Sequence, residues 1–129
     1  MAATRVEDLL AEARLALNAS REELEEFRRS GAQLKLRDAA EKAWIAANRA
    51  IEALLASRGV EAKTYREKRD WLEKLGYDVL RDRFMARARG LHIDCFYEGL
   101  CDDEFVEEEI RKVEDIIDFV EREVKGHRQ

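Results

Sequence analysis

The sequence predicts an all-α protein, an up-and-down bundle of four or five helices, and three observations carry that prediction. Proline is absent and glycine is held to six of 129 residues, whereas a β-rich fold of this length needs turn-forming Gly, Pro, Asn and Asp at short intervals. Charged residues make up 41% and hydrophobic ones 46%, far too much apolar material for intrinsic disorder. Apolar residues also recur at three- and four-residue spacing over long stretches, the period of a helix with one buried face. The length suits one domain, residues 1–129.

The elements follow in order. A first helix is expected over about Arg5–Arg29, with Val6, Leu9, Leu10, Ala13, Ala16, Leu17, Leu24 and Phe27 in one stripe. Thr4 and Glu7 stand at the spacing of a capping box. Ser30-Gly31 breaks the pattern, and a second helix runs over about Ala32–Ser57. Leu36, Ala40, Ala43, Ala47, Ile51 and Leu54 line it, widened by Trp44 and Leu55, with further alanines on its other faces. Small residues let neighbours approach closely, so this is the expected central helix. Arg58-Gly59 ends it as a glycine cap. A short basic helix covers about Ala62–Leu75 with Tyr65, Trp71 and Leu72, and Gly76 closes it. A fourth spans about Tyr77–Tyr97, with Leu80, Phe84, Leu91 and Cys95 inward, interrupted or strained at Gly90. The last, about Asp102–Lys125, carries Val106, Ile110, Val113, Ile117, Val120 and Val124, with Asp102 and Asp103 where acids favour a helix N-terminus.

The scattered glycines, never closer than nine residues, exclude a dinucleotide fingerprint and a phosphate-cradling P-loop. No serine lies in a Gly-x-Ser-x-Gly elbow, and His92 and His127 are too far apart for a helical His-Glu-x-x-His zinc site. No run approaches the about 18 apolar residues of a membrane span, and no signal-peptide core is present, so a cytoplasmic protein without membrane contact is expected. In that compartment Cys95 and Cys101 read most simply as buried or half-buried thiols. Asn and Gln occur twice each beside many Arg and Glu, which leans towards a thermophile, a setting in which intracellular disulfides do occur. His92, Cys95 and Cys101 fit no standard zinc spacing, so no metal and no cofactor is expected.

The net charge of −5 is unevenly spread. Arg58–Arg89 holds ten basic and six acidic residues, net +4, and Asp94–Val124 three basic and thirteen acidic, net −10. A basic nucleic-acid face beside a non-binding one is one reading, and the plainer one is an opposite-charge contact between helices or subunits. The long amphipathic stripes also suggest that apolar surface is covered by a symmetric homodimer.

Chemistry concentrates in Arg87-Ala-Arg-Gly-Leu-His92-Ile-Asp-Cys-Phe-Tyr97-Glu-Gly99. His92 suits proton transfer near neutrality. An arginine beside it would hold a phosphate, which is what RNA cleavage without metal requires. On a straight helix Arg87 and His92 diverge by roughly 140°, so a kink or a pairing across a dimer is needed to join them. Arg89, three positions before His92, shares its face. The plainer reading makes His92 a half-buried helix residue bonded to a neighbour, with Arg87 and Arg89 in solvent. Likewise Trp44, Trp71, Phe84, Phe96 and Tyr97 can stack on bases, although aromatics at helical spacing are more often core.

Leu36-Arg-Asp-Ala-Ala-Glu-Lys-Ala-Trp-Ile-Ala-Ala, the short basic helix, Leu91-His92 with Phe96-Tyr97-Glu98-Gly99, and the acidic last helix together resemble the archaeal PaREP family of small helical proteins over about Leu34–Val124. That family is similar in fold to HEPN domains. The resemblance implies a HEPN-like four- or five-helix bundle, usually dimeric. In many HEPN ribonucleases an Arg-x4–6-His motif works at the dimer interface without metal; Arg87 and His92 match its spacing, while Ala88 departs from the polar residue common after the arginine. The expectations are therefore RNA or nucleotide binding with weak metal-independent endoribonuclease activity. His92 would be the acid/base and Arg87 the phosphate clamp, with Arg89 and Tyr97 supporting. The alternative is a non-enzymatic interaction module, the antitoxin-like partner in a two-protein system.

Overall fold

The structure is a computed structural model that describes residues 2–128, with side chains from Thr4 to His127. It is all-α: α1 (Ala2–Ser30), α2 (Gln33–Ser57), α3 (Tyr65–Lys74), α4 (Asp78–Arg87), a π-helical segment (Ala88–Tyr97) and α5 (Asp103–Arg128), with no strand among the described residues. α1 and α2 form an antiparallel hairpin joined through Gly31 and Ala32, and α5 lies against both.

As the alanine-rich pattern predicts, α2 is central and touches every other element. Ala39, Ala40, Ala43, Ala46, Ala47, Ala50 and Ala53 are completely buried, and their small side chains let several neighbours reach one helix. Buried Ser20 on α1 donates from Oγ to the Ala39 carbonyl at 2.6 Å, satisfying its hydroxyl at the α1–α2 contact. On α5 all six stripe residues from Val106 to Val124 are buried, each contributing about 1.5–3 kcal/mol if fully exposed when unfolded.

Three expectations are corrected. Thr4 lies inside α1, past its first residue, and so is not at its N-cap; a capping box is formed by Thr64 and Glu67, whose side chains each meet the other's backbone N–H at 3.1 Å at the start of α3. The short helix consequently starts at Tyr65, and Ala62 packs in the loop before it.

The single helix expected over Tyr77–Tyr97 is α4 followed by the π-helical segment. The interruption expected at Gly90 is this π-helical stretch, in which Gly90 lies. Gly90 packs closely against α5, since a Cβ there would stand 2.9 Å from Phe105 Cζ and 3.1 Å from Glu109 Oε1.

Finally, Cys95 and Cys101 are joined in a disulfide. Six residues of continuous α-helix would rise about 9 Å, but the π segment stops at Tyr97 and Gly99, at φ +69°, turns the chain back. The two Cα atoms are thereby 5.1 Å apart. Closing so short a loop stabilises by about 2 kcal/mol. The paired Cys95→Ser and Cys101→Ser variant is expected to lose that amount in urea denaturation, and identical midpoints would show that the bond does not form in solution.

Candidate functional site

The π segment and the face of α2 opposite it build the site. Running out of register with the α-helix before it, the π segment leaves carbonyls at its end without helical partners. Arg37 of α2 supplies them: Nε donates to the Phe96 carbonyl and Nη2 to that of Tyr97, both at 2.7 Å. This contact ties the end of the segment to α2 and sets the side chains before it against that helix.

His92 is half-buried, and its Nδ1 lies 2.7 Å from Glu41 Oε1 on α2. An ionised carboxylate only accepts, so Nδ1 donates and Nε2 of the neutral ring carries the lone pair. No described residue bonds to Nε2. The ring sits in an aromatic row, 4.9 Å edge-on from Tyr97, 6.0 Å from Phe96 and 6.1 Å from Trp44. Trp44 in turn stacks on Phe84 at 5.0 Å, and Tyr65 leans on both.

These residues border an open groove of about 590 Å³ lined by Trp44, Asn48, Lys63, Tyr65, Lys68, Met85, Ala88, Arg89, His92 and Ile93. No carboxylate lines it. Lys68 is only 6% exposed; its Nζ donates to Asn48 Oδ1 at 3.0 Å and stands 3.6 Å from Glu52. Burial pushes this ammonium below the ordinary lysine range, against the opposing pull of Glu52. Arg89 is largely in solvent, with Asp94 at 3.5 Å.

Of the residues singled out in sequence, the structure brings His92, Arg89 and Tyr97 to this one region. Arg87 goes elsewhere. Its guanidinium is buried, with Nε donating to Glu109 Oε1 of α5 at 2.7 Å, and it lines a separate groove between α4 and α5. Within one chain Arg87 and His92 therefore do not converge, and Arg87 is not in solvent either. Trp44 and Phe84 are buried, as core aromatics, although the edge of Trp44 reaches the groove.

Glu41, Lys68 and Tyr65 are not among the site residues expected from sequence. A signal existed for the α2 side: Glu41, Trp44 and Asn48 fall at i, i+3 and i+7, one helical face, and interrupt an otherwise alanine-rich helix. For Lys68 there was none, because nothing local distinguishes it from the other basic residues of α3.

The charge asymmetry is resolved as a contact between helices, but with α1. Arg14 meets Glu114, Asp118 and Glu121, Arg21 meets Glu114, and Arg28 meets Asp103 and Glu107. Among the described residues, Arg58 and Arg87 are the ones from the basic stretch that pair with acids of α5, at Glu123 and Glu109. Lys63, which lines the groove, acts on Glu67 and forms no ion pair within 4 Å among the described residues. No group of three or more His, Cys, Asp or Glu is placed to hold a metal ion, and no helix is long and apolar enough to cross a membrane, again among the described residues.

A profile of the archaeal PaREP1/PaREP8 family matches residues 8–117, which takes in α2, α3, α4, the π segment and most of α1 and α5. No curated protein and no solved structure matches the chain.

Proposed function

The chain belongs to the archaeal PaREP1/PaREP8 family, and from that premise we propose that it binds RNA or a nucleotide in the groove beside His92, as a cytoplasmic, HEPN-like homodimer. One observation carries the reading: Lys63, Lys68 and Arg89 line the same concavity as the aromatic edges of Trp44 and Tyr65 and the half-buried His92. Cations attract phosphate, and aromatic side chains beside them offer a base an apolar surface to rest on. An acidic total charge does not oppose this, because the acids of α5 are engaged largely by α1 on another side of the bundle. Exposed Ile93, Tyr97 and Leu100, in and just after the π segment, give a second copy an apolar surface to cover.

The chemistry open to this site is slow, metal-independent RNA cleavage. His92 Nε2 takes the 2′-hydroxyl proton as that oxygen attacks the adjacent phosphorus. The bond to the 5′-oxygen breaks, and the imidazolium returns its proton to the leaving oxygen. A 2′,3′-cyclic phosphate and a 5′-hydroxyl result. Glu41 holds the ring in the tautomer this needs, and Arg89, in place of Arg87, faces the phosphate. Arg87 acts only at a distance, by holding the base of the π segment to α5.

The test is titration of mixed-sequence single-stranded RNA and of ribonucleotides in EDTA, followed by gel analysis of the RNA. Salt-dependent binding is expected, together with cleavage that His92→Ala abolishes and Arg89→Ala weakens. Absence of binding to every probe would overturn the reading, and binding without His92-dependent cleavage would leave a ligand site and remove the nuclease. Concentration-resolved mass measurement checks the dimer.

A further inference from the structure

We propose that Lys68 recognises a terminal phosphate, so that the groove takes a nucleotide carrying a phosphate monoester in preference to a nucleoside or to the internal diesters of a polynucleotide. The inference rests on the groove being a nucleotide site and adds which end of which ligand it reads.

The argument begins with depth. Lys63 and Arg89 are exposed, Arg89 with 78% of its side chain accessible. Charges placed so are screened, and they meet any passing phosphate alike. Lys68 is different. It is 6% exposed and yet borders the groove, so a phosphate must enter the concavity to reach it. A phosphodiester is flanked on both sides by sugars, and that bulk keeps it at the rim. A terminal phosphate has one substituent and three oxygens free.

The second observation is hydrogen bonding. An ammonium has three donors. Asn48 Oδ1 takes one at 3.0 Å, and Glu52 stands at 3.6 Å, which leaves at least one N–H for a ligand. Asn48 is itself held, its Nδ2 donating to the Trp44 carbonyl at 3.2 Å, so Lys68 is positioned by α2 before any ligand arrives. The backbone of Trp44 thus fixes the amide that orients the amine, and its indole edge lines the same groove. Phosphate and ring sites are therefore set by one turn of α2.

Size agrees. The groove is about 590 Å³, within the range of about 300–1,000 Å³ typical of sites for one small ligand. It has room for one nucleotide.

Calorimetric titration of the intact protein with the four ribonucleosides and the four ribonucleoside 5′-monophosphates tests this, alongside RNA hexamers with and without a 5′-phosphate. A monophosphate is expected to bind about tenfold or more tightly than its nucleoside, as charge-assisted hydrogen bonds in a buried site imply. Lys68→Met is expected to bring that ratio near one while nucleoside affinity is kept, and Lys68→Arg to restore part of it. A merely structural lysine would weaken both ligands together and leave the ratio unchanged. Discrimination among hexamers identifies the RNA end as the ligand, and discrimination confined to mononucleotides identifies a free nucleotide. Equal affinity for nucleosides and monophosphates in the unaltered protein overturns the proposal and leaves the groove reading standing. Failure of all probes removes both. Should Lys68→Met not fold, Lys68→Gln carries the same comparison.

Discussion

Glu109→Ala is expected to lose about 3–5 kcal/mol of folding stability, read as a fall in the urea midpoint, because it strips the counter-charge from a buried arginine. Glu109 is 3% exposed and accepts from Arg87 Nε at 2.7 Å, and Arg87 is 8% exposed. Truncation leaves the guanidinium desolvated, with the Arg83 carbonyl at 3.4 Å as its remaining contact. Arg87→Met combined with Glu109→Leu should recover most of the loss, since apolar residues of similar volume replace a buried pair at little cost. The double variant also separates two roles for Arg87. It is expected to fold and keep ribonucleotide affinity, because Arg87 lines a groove other than that of His92. A folded double variant that no longer binds would return Arg87 to the binding site.

Phe84→Ala is expected to cost a similar amount, about 3–5 kcal/mol, for a fully buried ring removed without repacking. Phe84 is completely buried, stacked on Trp44 at 5.0 Å and 5.4 Å from Tyr65. Such ring pairs add about 0.5–1.5 kcal/mol each beyond area burial. The loss should also reach the groove, because Trp44 and Tyr65 line it and rest on Phe84. Trp44 fluorescence in a Trp71→Phe background reports this directly: a shifted emission at low denaturant is expected in Phe84→Ala and a much smaller one in Phe84→Leu. Unchanged emission with unchanged stability would mean that the ring does not support the groove.

Both predictions concern residues whose inward or outward placement the sequence treated differently. Phe84 was legible as core, since it falls on the stripe with Leu80, Leu91 and Cys95, all buried. Arg87 was not. An arginine five positions before a histidine in a basic helix reads as surface, and only a glutamate 22 positions away explains why it is inside. His92 was legible as the one candidate proton carrier, while its partner Glu41 lies 51 positions earlier and on a different helix. Gly90 drew notice as a helix breaker, yet its place is explained by Phe105 and Glu109 across the α5 contact. The cysteines were legible as a close pair but not as a bonded one, because whether six residues span 9 Å or 5 Å depends on where the helix stops.

The amino-acid sequence by itself determined the all-α class, the order of the helices, the central place of the alanine-rich α2 and the buried stripe of α5. All of these follow from spacing and side-chain size within a few residues, which is the range over which helical periodicity acts. The tertiary structure alone decided the partners: Arg87 to Glu109, His92 to Glu41, Arg37 to the end of the π segment, Lys68 to Asn48 beside the groove, and the arginines of α1 onto the acids of α5. Pairings of that kind join groups far apart in the chain, and a charged side chain carries no local mark of which opposite charge will meet it once the apolar faces have packed.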